Sequence, residues 1–132
     1  MQIKLELVPI PVADVDRAKA FYVERVGFIE DLDVRPAEGV RIVQLTPPGS
    51  ACSIAFGTGL SAFTAMKPGD IKGVHLVVAD IAEARAELVG RGVEIDEIDE
   101  PGGGGVKYAA FTDPDGNSMV LQEMAWRTGE NF

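Results

Sequence analysis

The sequence predicts an α+β fold in which two paired βαβββ modules form a curved mixed sheet with a concave cleft. Three observations lead to this prediction. The segment Val12-Ala13-Asp14 recurs as Val78-Ala79-Asp80, 66 residues later in a chain of 132 residues. In each copy a strand-like apolar run precedes this segment and a helical stripe follows it. Further strand-like runs follow each stripe. A chain of this length forms one domain, residues 1–132.

The first two elements of each module are a strand and a helix. Residues 3–12 and 71–78 are rich in valine, isoleucine and leucine, which is typical of buried strands. Asp14 and Asp80 follow at the positions of helix N-caps. Apolar residues then recur at helical spacing and predict one helix per module, with a stripe that faces a sheet. These residues are Val15, Ala18, Tyr22 and Val26 in the first copy, and Ile81, Ala84 and Leu88 in the second.

Three more strands are predicted in each module, separated by turns rich in glycine and proline. The runs are residues 28–34, 40–45 and 52–56 in the first half, and residues 93–98, 106–112 and 118–124 in the second. The resulting division is a first module of residues 1–57, a linker of residues 58–70, a second module of residues 71–125 and a C-terminal tail of residues 126–132. Modules of this size are marginally stable alone, so we expect them to pair in one two-part sheet with its helices on the convex side.

Composition restricts the partners of the chain. Its 12 lysines and arginines against 21 aspartates and glutamates give a formal net charge of −9. This charge argues against nucleic acid or an anionic membrane as a partner and favours a cationic one. No run approaches the roughly twenty apolar residues that span a bilayer. The single cysteine cannot form an internal disulfide and no secretion signal precedes the first strand, so we expect a cytoplasmic protein.

Three segments together resemble the vicinal oxygen chelate superfamily, which includes glyoxalase I, bleomycin-resistance proteins, fosfomycin-resistance enzymes and extradiol dioxygenases. The segments are Val12-Ala13-Asp14 with Ala20-Phe21-Tyr22 and Gly27-Phe28, residues 73–80 (GVHLVVAD) and residues 111–117 (FTDPDGN). The resemblance covers nearly the whole chain and implies the paired-module fold. It also implies a homodimer, because family members are commonly homodimers. Fold alone does not decide the chemistry in this superfamily.

The resemblance also implies where a metal would be held. Family enzymes usually bind a divalent ion through one side chain on the first strand of each module and a glutamate on the last strand. The matching positions here are Leu7, Gly73 and Val120, none of which offers a lone pair. We therefore expect no metal and no other cofactor. A displaced site that uses His75 and Glu123 is the alternative, although strand alternation turns Glu123 to the opposite face unless a bulge intervenes.

Strand alternation predicts the wall of the concave cleft. The predicted wall is mostly apolar with a few hydrogen-bonding groups, which is the usual composition of a small-molecule pocket. Its residues are Leu7, Pro9, Pro11, His75, Val77, Tyr108, Ser118, Val120 and Gln122. The apolar members serve equally well as packing in a cleft that holds no ligand.

His75 is the only histidine, and Tyr108 is expected near it. The two are candidates for general acid–base catalysis. No carboxylate is obviously placed to orient His75, so a strand histidine bonded to Gln122 or to the backbone is the competing interpretation. The first functional prediction is therefore a metal-free protein that binds a small, apolar or cationic molecule, as in the bleomycin-resistance branch, and is not an enzyme. The alternatives are a metal-dependent glyoxalase-like lyase, isomerase or dioxygenase, and a metal-independent enzyme that uses His75 and Tyr108.

Three features outside the sheet pattern complete the predictions. Residues 102–105 are all glycine and are expected to form a hairpin loop at the mouth of the cleft. The acidic run of residues 94–100 is either the solvated side of a strand or a ring of charge that favours a cationic ligand. Phe63, Met66, Trp126 and Phe132 are expected to cover the cleft or to pack against a second chain, which favours a homodimer.

Overall fold

The computed structural model describes residues 1–132 and contains seven strands. The strands are β1 (Leu7–Pro9), β2 (Ile29–Ala37), β3 (Val40–Thr46), β4 (Ser53–Thr58), β5 (Val74–Val77), β6 (Val106–Thr112) and β7 (Ser118–Met124). The helices are α1 (Val15–Ala20), which continues as a π-helix (Phe21–Val26), then α2 (Ser61–Thr64) and α3 (Ile81–Gly90). Short 3-10 turns occupy Pro101–Gly103 and Gly129–Asn131. None of the helices is long and apolar enough to cross a bilayer.

The strands form two mixed sheets, and the α+β class predicted from the sequence is confirmed. The first sheet has the order β1-β4-β3-β2 and the second the order β5-β7-β6. In both sheets the strand before the helix pairs in parallel with the last strand of its module, and all other pairs are antiparallel. No ladder joins one sheet to the other, so the single two-part sheet expected from the sequence is not formed within this chain.

The predicted strand at residues 93–98 is wrong. This segment makes one isolated bridge to β6, from Ile95 to Phe111, and a second follows it, from Asp99 to Tyr108. Four of the five residues between Ile95 and Pro101 are acidic. Aspartate and glutamate are depleted in strands. The second sheet therefore has three strands where the first has four.

The first strand is also shorter than the predicted run of residues 3–12. Only Leu7–Pro9 pairs, and it pairs on one side alone, with β4. Ile3 and Leu5 are 78% and 70% exposed, because the segment before β1 extends beyond the sheet. The alternation of apolar residues in this segment therefore has no buried face within one chain.

The two capping aspartates begin their helices as predicted. The Asp14 Oδ1 atom accepts a hydrogen bond from the Arg17 N–H at 3.0 Å, and Asp80 Oδ1 accepts one from the Glu83 N–H at 3.0 Å. Each helix is followed by a glycine with positive φ. Gly27 lies 13 residues after Asp14, whereas Gly92 lies 12 residues after Asp80, so the first module has one additional residue. The π-helical turn accommodates this additional residue.

One buried core joins the two modules. The Phe21 ring, at the start of the π-helical turn, lies 6.3 Å from the Phe111 ring on β6. Helix-facing residues of both sheets belong to the same cluster, which includes Val43, Leu45, Ile54 and Phe56 from the first sheet and Ala109, Phe111, Met119 and Leu121 from the second. The two sheets thus share the core through their helix-covered faces. Their helix-free faces point away from this core.

Candidate functional site

The predicted wall residues are divided between the two helix-free faces. The first helix-free face carries Leu7 and Pro9 of β1 beside Ser53 and Ala55 of β4, as the strand register shows. The second helix-free face carries the remaining wall residues that lie on strands. These are His75, Val77, Tyr108, Ser118, Val120 and Gln122, and the register pairs His75 with Val120 and both Val77 and Tyr108 with Gln122.

Pro11 is the exception among the wall residues. It is fully buried, and its carbonyl oxygen accepts a hydrogen bond of 2.8 Å from the Asn117 side-chain amide. β1 ends at Pro9, so the alternation that predicts an outward Pro11 no longer applies. Pro11 therefore belongs to the junction of the two modules and not to a helix-free face.

His75 and Tyr108 meet on the second helix-free face. Their rings lie edge to face, with centroids 6.0 Å apart. The His75 Nδ1 atom is 2.7 Å from the carbonyl oxygen of Gly73, so in the neutral imidazole Nδ1–H donates and Nε2 keeps its lone pair. This backbone bond orients the exposed ring without a carboxylate. The free Nε2 atom can accept a hydrogen bond from a ligand.

Ser118 and Glu123 have structural partners. The Ser118 Oγ atom accepts a hydrogen bond of 2.7 Å from the Gly73 N–H and so fixes the start of β5. Glu123 lies on the helix-covered face, where its Oε1 atom accepts a hydrogen bond of 3.0 Å from the Ile81 N–H at the start of α3. The β6–β7 register is uninterrupted, so no bulge brings Glu123 to the second helix-free face. The displaced metal site of His75 and Glu123 is therefore not assembled.

The residues at the family's metal positions do not fit a metal ion. Leu7, Gly73 and Val120 supply no donor side chains. Besides His75, its face carries one carboxylate, that of Asp99, and otherwise only neutral amide and hydroxyl oxygens. No three histidine, cysteine, aspartate or glutamate side chains come together anywhere in the structure. A catalytic zinc site needs three protein ligands, so we derive no chemistry through a metal for these residues.

Asp99 belongs to the second helix-free face although the sequence did not identify it as a site residue. Its N–H and C=O exchange hydrogen bonds of 2.9 Å and 2.8 Å with the backbone of Tyr108. Directly opposed residues of an antiparallel pair project to the same face, so the Asp99 carboxylate lies beside the Tyr108 ring. The acidic run predicted only a solvated strand or a ring of charge. The hairpin register across the glycine loop was the signal that could have singled out this residue.

A chain of polar side chains crosses the first helix-free face, and sequence reasoning missed it. The Gln44 amide donates to Ser53 Oγ at 3.2 Å, and Ser53 Oγ lies 2.6 Å from Thr46 Oγ1. The Thr46 hydroxyl donates in turn to the Asp31 carboxylate. Asp31 occupies an irregularity in the β2–β3 register, which re-aims its side chain. Such irregularities have no signal in a single sequence.

The two helix-free faces do not meet within one chain. None of the five principal cavities is lined both by Leu7 or Pro9 and by His75 or Tyr108. The largest depression, of about 820 Å³, lies instead between the start of α1 and the β2–β3 turn. A single chain therefore presents the predicted wall as two open half-sites.

Comparison with known proteins identifies the family. The profile of the Glyoxalase/Bleomycin resistance protein/Dioxygenase superfamily matches residues 4–121. TnmS3, an antibiotic binding protein from Streptomyces sp. CB03234, is 34% identical, with a TM-score of 0.79 over 94% of this chain and 98% of that one. A glyoxalase/bleomycin resistance protein from the same Streptomyces is 35% identical, with a TM-score of 0.73 over 89% of this chain and 98% of that one.

A superfamily member from Sphaerobacter thermophilus DSM 20745 is 32% identical, with a TM-score of 0.77 over 92% of this chain and 98% of that one. No curated relative matches the chain. The profile match spans most of the sequence and covers most of both modules. The chain belongs to the glyoxalase/bleomycin resistance protein/dioxygenase superfamily.

Proposed function

We propose that this protein binds a small, apolar or cationic organic molecule and sequesters it without converting it. The similarity to an antibiotic binding protein, at 34% identity over 94% of the chain, is the observation that carries the proposal. The chemistry of the helix-free faces supports it, since they offer apolar surface and hydrogen-bonding groups but no metal-ligand set. The lone cysteine fits a reducing compartment, and we place the activity in the cytoplasm.

The proposed cleft forms between two copies of the chain. The outer edge of β1 and the outer edge of β5 both lack a pairing strand, and a free strand edge is a template for pairing. The exposed side chains of Ile3 and Leu5 extend this apolar surface beyond β1. In the proposed homodimer the first helix-free face of one copy lies beside the second helix-free face of the other. Each copy then contributes half of every cleft.

The two faces indicate the kind of ligand that such a cleft would hold. The His75–Tyr108 pair offers aromatic surface, and aromatic rings attract both planar ligands and cations. Asp99 opposes Tyr108 on the same face and brings a negative charge to it, and the Asp31 carboxylate ends the polar chain on the first helix-free face. The favoured ligand is therefore a planar apolar molecule that carries a positive charge or several hydrogen-bond donors.

Two cationic probes test the proposal, bleomycin and the planar aromatic cation proflavine. Calorimetric titration should give one probe per cleft, and chromatography after prolonged incubation should recover the probe unchanged. The His75→Gln variant should retain the fold and bind about tenfold more weakly, because it loses the ring contact and the acceptor fixed at the Nε2 position. Lys107→Gln is the control, since Lys107 lies on the helix-covered face beside Glu123. Conversion of a bound probe, or equal affinity of the His75 variant, would contradict sequestration at this site.

A metal-independent enzyme is the second candidate. The bond from His75 Nδ1 to the Gly73 carbonyl leaves Nε2 free as a general base, with the Tyr108 ring at 6.0 Å. This function requires turnover that persists in a chelator and disappears in both His75→Gln and Tyr108→Phe. Binding without turnover excludes it for the molecule tested.

A further inference from the structure

A second cavity lies at the junction of the two modules, between helix α3 and the turn that joins β3 to β4. Its volume is about 240 Å³, and most of its lining is apolar, including Phe28, Pro48, Leu76, Leu88 and Leu121. Arg91 and Glu87 lie at its rim, where an ion pair of 2.6 Å holds them together. The cavity opens on the helix-covered side of the second sheet, since Leu76 and Leu121 both pack against the core.

The internal repeat explains why the cavity exists. Tyr22 and Leu88 hold equivalent positions, because each lies eight residues after its capping aspartate. Their carbonyl oxygens also accept equivalent hydrogen bonds, from the Phe28 N–H at 2.9 Å and from the Val93 N–H at 3.0 Å. The surroundings of Leu88 are therefore the repeat counterpart of the surroundings of Tyr22.

The Tyr22 junction is filled by the protein's own polar side chains. The Tyr22 hydroxyl donates a buried hydrogen bond of 2.8 Å to Asp113. The Asn117 amide donates to the same carboxylate and to the Pro11 carbonyl, both at 2.8 Å. Ring, carboxylate and amide together close this side of the junction.

The Leu88 junction has none of these groups. Leucine replaces the phenol, and the turn opposite it consists of residues 47–50 (PPGS), which carry no carboxylate. No hydrogen bond joins this turn to α3 or β5. At the Tyr22 junction a ring and a carboxylate fill this space. At the Leu88 junction the equivalent space is an apolar hollow.

We propose that this hollow is a second small-molecule site, which takes a neutral molecule of one aromatic ring in the place that corresponds to the Tyr22 phenol. The volume is sufficient, because a dry apolar cavity of about 150 Å³ binds benzene. A bare ring is preferred to a phenol, since most of the lining is apolar and a hydroxyl buried against it without a partner is costly. The Glu87 carboxylate lies at the exposed rim, where its Oε1 atom accepts a hydrogen bond from Arg91, and not among the apolar side chains of the lining.

Titration with toluene and with p-cresol, followed by the methyl NMR signals of leucine and valine, tests the proposal. Toluene should shift the signals of Leu76, Leu88 and Leu121 and bind at least threefold more tightly than p-cresol. Ala84→Leu places a larger side chain in the cavity and should weaken toluene binding at least tenfold. Ala86→Leu is the matched control, since Ala86 is exposed on the same helix and outside the lining. The control should bind toluene like the parent chain.

The outcomes separate this site from the cleft proposed for sequestration. His75→Gln should leave toluene binding unchanged, because His75 lies on a helix-free face and outside this lining. Leu88→Phe serves as a second filling variant if Ala84→Leu does not fold. Toluene shifts confined to residues outside the cavity, equal affinity of the filled and control variants, or preference for p-cresol would each overturn the proposal.

Discussion

The Tyr22 hydroxyl donates a buried hydrogen bond of 2.8 Å to Asp113, 91 residues later in the chain. This bond joins the first helix of one module to the turn before the last strand of the other. Burial, followed by the nearby Asp113 charge, raises the pKa of Tyr22 above its ordinary range. The phenol therefore keeps its proton in alkaline solution, and the link between modules survives there.

Tyr22→Phe should destabilise the protein by about 1.5–3 kcal/mol, the range for a lost hydrogen bond to a charged partner. Urea unfolding measures the change as a lower midpoint with an unchanged slope. Tyr108→Phe is the control, because no hydrogen bond of the Tyr108 hydroxyl is present, and its unfolding midpoint should change little. A midpoint of Tyr22→Phe equal to that of the parent would show that the bond does not stabilise the junction.

Acid should weaken the ion-pair network on the first sheet. Bidentate hydrogen bonds of 2.9 Å and 2.8 Å from Arg41, together with one from Lys19, hold the pKa of Asp33 well below its ordinary value of 3.8. A carboxyl whose pKa is lower in the folded state stabilises the fold above the unfolded-state pKa and ceases to do so as the pH falls through the folded-state pKa. Its contribution is thus fully present at pH 7 and declines below about pH 4.

Asp33→Asn should therefore lower the midpoint of urea unfolding at pH 7. The difference in midpoint between this variant and the parent should shrink between pH 4 and pH 2. Glu97→Gln is the comparison, since the Glu97 side chain is 94% exposed and its nearest cation is 3.6 Å away. That variant should follow the parent at every pH. A difference between Asp33→Asn and the parent that stays constant with pH would contradict the role assigned to this carboxylate.

Charge on the second helix-free face should contribute to the binding of a cationic ligand. Asp99→Asn should weaken proflavine binding by a few tenths to about 1 kcal/mol at low salt, and the loss should diminish as salt is added. Glu97→Gln is the control: it removes one negative charge from the same segment, but Glu97 does not pair with Tyr108. Calorimetric titration at two ionic strengths gives both comparisons, and equal losses for the two variants would mean that only net charge matters.

The apolar segment before β1 should stabilise the proposed homodimer. Leu5→Asn removes an apolar side chain that is 70% exposed in the single chain, and the dimer dissociation constant should rise by about tenfold. Lys4→Asn is the control, since Lys4 is the neighbouring residue and its exposed side chain ends in a charge instead of an apolar group. Analytical ultracentrifugation compares the two. A dimer unaffected by Leu5→Asn would show that this segment does not lie in the interface.

Glu123 should act as a cap of α3 and not as a metal ligand. Glu123→Ala deprives the Ile81 N–H of its acceptor and should cost about 0.5–2 kcal/mol, the range for lost helix caps. Glu130→Ala, in the exposed C-terminal tail, provides the reference. Elemental analysis of the purified protein addresses the other role: a stoichiometric divalent ion that is lost on Glu123→Ala would reinstate the displaced site.

Rules that depend on neighbouring residues predicted the strand faces and helix caps of this molecule, but they did not predict how its two sheets are arranged. Strand alternation correctly separated His75 and Val120 from Glu123, because the period of a strand depends only on neighbouring residues. The helix caps follow from equally local chemistry. The separation of the two sheets depends instead on distant contacts such as that of Phe21 with Phe111, for which neither residue carries a signal. The roles of the wall residues in ligand binding stay predictions.

The opposite placement of the two helix-free faces has a genetic consequence. In the proposed homodimer every cleft combines the first face of one subunit with the second face of the other. Co-expression of a subunit altered at Gln44 with one altered at His75 would yield mixed dimers in which one cleft carries both lesions and the other carries none. Such interallelic complementation would restore one of the two clefts in each mixed dimer, whereas neither parental homodimer has an intact cleft.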